Sequence, residues 1–381
     1  MPVYLTVKEL WRNKSRYFTF SLVIALITIL VLFIAGLGEG LATANKEFLE
    51  KIDAELLVLQ DEVDLSTATS RVAVARLSYL ERVPGVEAVG PIGLSNASVV
   101  FPLLGDTLDV SLIGVEAGKP GEPEIFEGRR LRTSRGMEVI LDEDVARQTG
   151  VAVGDTITIK TIQGTEDEYY ELEVVGITDG QQYFFLPAIF VPFETWEKVR
   201  PQQGSGGERF ANIVALQLAE GLDPAAVIPA LEAFVDGVEA AEIVTVYEAG
   251  PGYAAQQSTV NTQKGFTLLI AILVIGGFFQ IQTLQKVPQI GMLKAIGASN
   301  RVVAQAAVAQ IIFVTGFGVA VGAACTLALS LGFPPSIPIV FTGNAFVAAV
   351  ISLLAIGPLG GLVAIRAALK VEPLTALGLG G

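Results

Sequence analysis

Histidine is absent from all 381 residues, cysteine occurs once, at Cys325, and charged residues make up only 17% of the chain. Without histidine there is no imidazole general base, no histidine metal ligand and no histidine proton switch. A single cysteine allows no internal disulfide, so cysteine usage says nothing about redox compartment. Also missing is any Gly-rich turn ending in Gly-Lys-Ser/Thr, the backbone cradle that holds nucleotide phosphates. Gly36-Leu37-Gly38-Glu39-Gly40 does not replace it. That string follows an apolar run rather than a strand, and it reads as a flexible helix exit. The chain is therefore expected neither to bind nor to hydrolyse ATP itself, and no cofactor is implied.

What the chain has instead is apolar surface. Hydrophobic residues make up 51%, with a mean hydropathy of +0.57. Ordinary globular domains carry about 25% charge, so a membrane protein is the first expectation. Charge is also unevenly placed. Between Glu39 and Thr262 there are 37 acidic and 15 basic residues, a net of −22, while the rest holds 2 acidic and 10 basic residues, a net of +8. Such asymmetry suggests a chain divided between compartments. Nucleic-acid binding is excluded as a main role, because the acidic block would repel phosphate.

Tyr17 to Leu37 carries no charge, nor does Gly265 to Gln285. Either run is long enough to span a hydrocarbon core of about 30 Å. The first is too long for the apolar part of a signal peptide, so a retained span is expected. Val302 to Ile365 is uncharged throughout, and Phe333-Pro334-Pro335-Ser336-Ile337-Pro338 breaks it, because proline ends helices. The expected spans are 17–38, 265–285, 302–331 and 345–365, with an outer turn at 332–344. Lys and Arg cluster in the segment 1–16, the loop 286–301 and the tail 366–381, all on one side if there are four spans. The positive-inside rule makes that side cytoplasmic, which places the acidic segment 39–262 outside. Val3, Val7, Leu10 and Trp11 fit a short amphipathic helix on the cytoplasmic face, or an ordinary basic flank.

Within 39–262, strands are expected at Glu55–Gln60, over Val86–Phe101 (one or two), at Asn212–Leu218 and at Ile243–Tyr247. Helices are expected at Ala68–Arg82 and Pro224–Val235. Together these form a split β-α-β pattern as in ferredoxin-like folds, interrupted by a strand-rich insert of about 103–205. Within that insert Asp155–Lys160 and Tyr170–Ile177 have strand patterns, and Gln202–Gly207 forms a loop at its exit. The fold class is an α-helical membrane protein with four transmembrane helices plus an α/β extracytoplasmic domain. Asp142-Glu143-Asp144 and Glu166-Asp167-Glu168 lack calcium-loop spacing and read as solvated loop charges, with Asp142 also suited to cap a helix. No metal site or catalytic residue is expected.

Two patterns point to function. Gly318 and Gly322, and again Gly357 and Gly361, are four residues apart, a spacing that lets helices approach closely, within one chain or across a dimer. The cytoplasmic loop reads Gln285-Lys286-Val287-Pro288-Gln289-Ile290-Gly291-Met292-Leu293-Lys294-Ala295-Ile296-Gly297-Ala298-Ser299-Asn300-Arg301. Ile290, Leu293, Ile296 and Gly297 share one helical face, so a short amphipathic helix is expected.

This loop resembles that of the MacB-like and FtsX-like permeases of ABC transporters, which often read Arg-Glu-Ile-Gly-x-x-x-Ala-Ile-Gly-Ala here. Pro288-Gln289 departs from the charged Arg-Glu pair. Val371–Leu377 is similar to the family's closing motif, and so are Val83–Val89, Leu141–Ala146, Val153–Asp155 and Val174–Ile177 to motifs of its outer domain. The resemblance covers nearly the whole chain. It implies a permease subunit working as a homodimer or with a paralogue, paired with a separate ABC ATPase subunit, and in some branches with a periplasmic adaptor. It implies a two-part outer domain, the ferredoxin-like part called porter and the insert called sabre. It also implies that Gln289, Ile290, Gly291, Leu293, Lys294, Ala295, Ile296 and Gly297 contact the ATPase, so that ATP-driven motion reaches the outer domain by mechanotransmission, for export or extraction of a substrate. An FtsX-like scaffold that regulates an extracytoplasmic cell-wall hydrolase is the alternative, and a membrane-anchored enzyme ranks last.

Overall fold

The computed structural model describes residues 14–101, 106–201, 209–250, 252–332, 339–341 and 343–369. The amphipathic segment before Lys14, the loop Gln202–Gly207, the Pro-rich turn Phe333–Pro338 and the tail from Lys370 lie outside these residues. The chain forms two units: Leu41–Gln256, and a helical unit made of Met1–Gly40 with Gln257–Gly381.

In chain order the elements are α1 (Lys14–Glu50), β1 (Leu56–Gln60), β2 (Val72–Ala73), α2 (Leu77–Leu80), β3 (Val86–Val100), β4 (Thr107–Val115), β5 (Ile125–Gly128), β6 (Glu138–Asp142), α3 (Glu143–Thr149), β7 (Thr156–Gln163) and β8 (Glu166–Thr178). Next come β9 (Gln182–Tyr183), β10 (Leu186–Pro192), α4 (Phe193–Val199), β11 (Phe210–Ala211), β12 (Ile213–Leu218), α5 (Pro224–Phe234), β13 (Val238–Glu242) and α6 (Ile243–Ala249). The chain then runs through α7 (Tyr253–Gln285), α8 (Val287–Ala295), α9 (Asn300–Ser330) and α10 (Gly343–Leu369).

The sheet unit begins with β1, whose five residues Leu-Leu-Val-Leu-Gln are almost wholly apolar. Side chains alternate faces in a strand, so such a run must be covered on both sides. Leu56 and Val58 enter one core with Leu216 and Leu231, whereas Leu57 and Leu59 enter another with Phe48, Phe190 and Val246. Strand order runs β13-β1-β12-β3, antiparallel at every step. β3 is long enough to serve two partners on one edge: Val86–Ile92 pairs with β12, and Ser98–Val100 pairs with β7. From β3 the hydrogen bonding continues through β4, β10, β6 and β8 to β7, and so returns to β3 as a ring of six strands. A closed ring leaves few unpaired edges. Its interior holds Val99, Leu112, Leu141, Ile159, Leu172 and Ile189.

Several expectations need correction. Ala68–Arg82 is not one helix but the short strand β2, a tight turn at Val74–Arg76 and the single turn α2. Ser70 Oγ accepts from the Gln60 amide (2.9 Å) and Gln60 Oε1 accepts from the Arg71 amide (3.1 Å), local bonds that compete with a helical ladder. Ile243–Tyr247 is not a strand but lies in helix α6. The strand beside β1 is Val238–Glu242, while Ile243, Val246 and Tyr247, at helical spacing, cover a core face. Glu166-Asp167-Glu168 lies on strand β8, paired with β7, rather than in a loop. Asp142 caps α3 by accepting from the Asp144 amide (2.7 Å), but its side chain is buried, not solvated.

In the helical unit α1 runs through Gly36–Gly40 instead of ending there. Gly36 faces Ile339 and Phe341, where a side chain would collide. Gly36, and likewise Gly38 against Val260, therefore make room for neighbours inside a continuous helix. Among the described residues, Tyr17–Ala44 of α1, together with α7 and α9, are long and apolar enough to cross a membrane, and α10 holds a shorter apolar stretch, Phe346–Leu362. The four helices share a core in which Ile24 of α1, Ile275 of α7, Ile311 of α9 and Ile356 of α10 meet.

Candidate functional site

The loop between α7 and α9 folds as α8 and a sharp corner. Val287 and Pro288 open the helix, where a missing amide costs nothing because the first amides of a helix have no internal partner. This is the physical role of the Pro288 departure. At the other end Gly297 takes φ +97°, a conformation open to glycine. Its amide donates to the Lys294 carbonyl (3.0 Å), and the Ala298 amide donates to the Leu293 carbonyl (3.0 Å). That pair of bonds is a Schellman cap. Ser299 is already extended and starts α9 one residue later. The corner is thus only a few residues long.

Of the predicted contact residues, Gly291 is buried and Ile290 half-buried, while Gln289, Leu293, Ala295, Ile296 and Gly297 are exposed. Ile296 is 80% exposed and Met292 58%. α8 therefore presents an apolar patch that its own bundle leaves uncovered. The Lys294 ammonium, half-buried, donates to the carbonyl of Leu369, the last residue of α10 (2.8 Å). A cation at a helix C-terminus is favourably placed.

Sequence reasoning missed the polar cluster beside α8. Lys286 Nζ donates to Tyr17 Oη (2.9 Å) and to Gln310 Oε1 (2.8 Å). Gln310 Nε2 donates to Tyr17 Oη (2.6 Å) and to Gln282 Oε1 (2.9 Å). Residues from α1, α7 and α9 are thereby tied at the start of α8. One signal was legible: Gln282 precedes Lys286 by four positions, so both lie on one helical face at the end of a long uncharged run.

The paired glycines mark contacts between helices of the same chain. A Cβ on Gly318 would lie 2.7 Å from Ile24 Cβ, and one on Gly322 would lie 2.6 Å from Thr28 Cβ, both on α1. Gly357 and Gly361 face Thr315 and Ile311 of α9. Gly276 of α7 and Gly360 of α10 also meet backbone to backbone. No cluster of residues able to hold a metal ion occurs among the described residues.

Comparison with known proteins places this arrangement. A model of the MacB-like periplasmic core domain matches residues 18–234, and one of the FtsX-like permease C-terminal region matches residues 265–373. The chain belongs to the family of MacB-like and FtsX-like ABC transporter permeases. Similar relatives include proteins named hemin transport system permease protein HrtB. The one from Staphylococcus haemolyticus is 24% identical over 98% of this chain and 99% of its own, and one from Staphylococcus epidermidis is 23% identical over 99% of each. An ABC transporter permease of Mycobacterium tuberculosis is 21% identical over 99% of each chain. Among solved structures, the periplasmic region of MacB from Actinobacillus actinomycetemcomitans aligns with a TM-score of 0.37 and 13% identity, covering 52% of this chain and 94% of that one. The extracellular domain of the Gram-positive transporter YknZ aligns with a TM-score of 0.35 and 16% identity, over 50% and 99%. As a permease subunit of an ABC transporter, the chain is a membrane protein that works with an ATPase subunit.

Proposed function

We propose that this permease converts ATP hydrolysis by its partner into movement of the outer domain, and that α8 is the coupling helix. The spans would be 17–38, 265–285, 302–331 and 345–365, with both termini cytoplasmic and 39–262 outside. In this reading the sheet β13-β1-β12-β3 with α5 is the porter part, and the six-stranded ring is the sabre part. The permease would act as a dimer, with a second copy or a paralogue. Relatives of nearly equal length named for hemin transport favour an amphiphilic, planar substrate of the hemin class, moved outward. A periplasmic adaptor is an optional partner of this arrangement.

One observation carries the reading: α8 is fixed at both ends, by Lys286 and by the Gly297 cap, yet leaves Met292, Leu293 and Ile296 uncovered. A rigid helix with exposed apolar anchors suits a groove on a partner, where such anchors can each contribute about 2 kcal/mol or more. The test is co-purification of the ATPase with the double variant Leu293→Asp/Ile296→Asp, alongside ATP turnover of any complex. Association should be lost, while Lys294→Ala, whose ammonium holds Leu369, should keep it. A double variant that still binds and couples normally would remove α8 from the mechanism.

A further inference from the structure

The chain leaves α4 through Arg200, whose backbone is held on both sides. Its amide donates to the Trp196 carbonyl (2.8 Å), and Gln163 Nε2 donates to the carbonyls of Val199 (3.1 Å) and Arg200 (2.9 Å). The side chain then lies over two rings. Its guanidinium carbon is 5.1 Å from the centre of Trp196 and 4.3 Å from that of Phe210. Phe210 carries a second cation, since the Arg71 guanidinium lies 5.0 Å from the same ring. Arg71 comes just before β2, which pairs with β11 through Ala73 and Phe210. A helix end and a two-stranded ribbon thus gather two guanidiniums around one aromatic side chain.

A ring face attracts a cation but offers no lone pair to its N–H donors. Among the described residues, neither guanidinium forms an ion pair or donates a hydrogen bond, and Arg200 Nε is buried without a partner. An unsatisfied buried donor carries the cost of its lost hydration. Burial pushes the Arg200 guanidinium below its ordinary value, Glu197 works against that fall, and Arg71 adds to it. Carboxylates are not scarce here, because the block from Glu39 to Thr262 holds 37 acidic residues against 15 basic ones. The neighbouring ones are already engaged: Glu197 is bonded by Arg209 (2.6 Å) and Glu194 by Arg135. Arg71 is exposed and Arg200 half-buried, so the pair is open to solvent from the Arg71 side.

We propose that Arg71 and Arg200 form a binding site for a carboxylate-bearing ligand. The planar fork of arginine matches a carboxylate with two parallel hydrogen bonds, and such a ligand would satisfy the donors that the rings cannot. Carboxylate is favoured over phosphate because Glu197 is close enough to act on Arg200 and would repel a second negative charge. The site lies wholly within the sheet unit and depends neither on α8 nor on the class of substrate.

The experiment uses the full-length chain in detergent, with Trp11→Phe as background, so that Trp196, the remaining tryptophan, reports on the cation beside it. Sodium acetate replaces sodium chloride at fixed ionic strength. Acetamide is the neutral match, and inorganic phosphate is the rival oxyanion. Acetate should change Trp196 emission saturably and raise the melting temperature, because a ligand of the folded state stabilises it. Acetamide should do neither, and phosphate should bind more weakly. Arg71→Gln should weaken acetate about tenfold, since hydrogen bonds between charged groups are the strong ones. Arg200→Gln should abolish the response. Should loss of the Arg200 packing on Trp196 unfold that variant, Arg71→Gln decides alone, because its side chain is exposed. The absence of a saturable response, a response shared with acetamide, tighter binding of phosphate than of acetate, or native affinity in Arg71→Gln would each overturn the proposal.

Discussion

In the sheet unit Leu56, Leu57, Leu59, Ile92, Leu112 and Ile113 are wholly buried, whereas in the helical unit Phe18, Phe266 and Leu273 each remain more than half exposed. Both units are rich in apolar residues, but they answer to different solvents. Water forces the sheet unit to hide its apolar side chains, and it does so by alternating them into two cores. Lipid imposes no such demand, so burial no longer decides which helix face meets which. In the bundle that choice falls to shape, through Gly318, Gly322, Gly357 and Gly361, and to a few hydrogen bonds such as those around Lys286.

The comparison predicts that damage stays within a unit and differs in kind. The largest effect is expected from Trp196→Ala. The indole packs over the paired Gly93 and Gly114, stacks on Phe193 and donates to Ser95 Oγ (2.9 Å). Removing it should cost about 3–5 kcal/mol, through lost transfer energy and the cavity left behind. Hydrogen exchange on the full chain should show lost protection in β3, β4 and α4, with α7 and α9 unchanged. Equal loss in both units would break the comparison.

Gly322→Leu should act on the bundle instead. Its Cβ would lie 2.7 Å from the Ala25 carbonyl oxygen, so α1 and α9 must separate, at about 1–3 kcal/mol. Gly322→Ala should show a smaller form of the same defect. Protease susceptibility of α1 and α9 is the readout, and the sheet unit should keep its melting behaviour.

The smallest effect sharpens the account of the sheet unit. Burial raises the Asp142 carboxyl from 3.8 to about 7, against the lowering influence of the amides of Gln181 and Asp144, and with Asp144 and Glu47 adding to the rise. The folded state therefore binds this proton more tightly than the unfolded state does. Its contribution to stability is full below the unfolded pKa and falls as pH climbs toward about 7. Between pH 6 and pH 7 the loss should be about 1 kcal/mol. Asp142→Asn keeps the helix cap without the ionisation, so its stability should vary less over that interval. Identical pH slopes for the two proteins would show that Asp142 is not the titrating group.

Legibility differed between the units for the same physical reasons. Apolar runs and basic flanks mark membrane helices directly, so Tyr17, Gly265 and Val302 could be read as belonging to apolar helices from composition alone. The glycine spacing announced close approach but not its partners, because Ile24 and Thr28 are almost 300 residues away from Gly318 and Gly322. In the sheet unit the long strands at β3, β7 and β8 were legible from alternation. Ala68–Arg82 and Ile243–Tyr247 were misread, because a short apolar run fits either period until its neighbours are known. At α8 the loop, its amphipathic face and the glycine at its end were all visible. The role of Lys294 was not, since its acceptor is the far end of α10.

The sequence by itself determined which segments form long apolar helices, that the acidic segment between them mixes strand and helix, and that a glycine-ended helix joins two apolar ones. Those properties follow from the period and hydropathy of neighbouring residues. Only the tertiary structure decided that β3 would be shared between the sheet β13-β1-β12-β3 and a closed ring, that Lys286 would bind Tyr17 and Gln310, and that Phe184 and Phe185 would occupy a two-residue turn with positive φ at both positions. Each of these depends on partners distant in the chain, whose combined packing outweighs the local preference of the residues concerned.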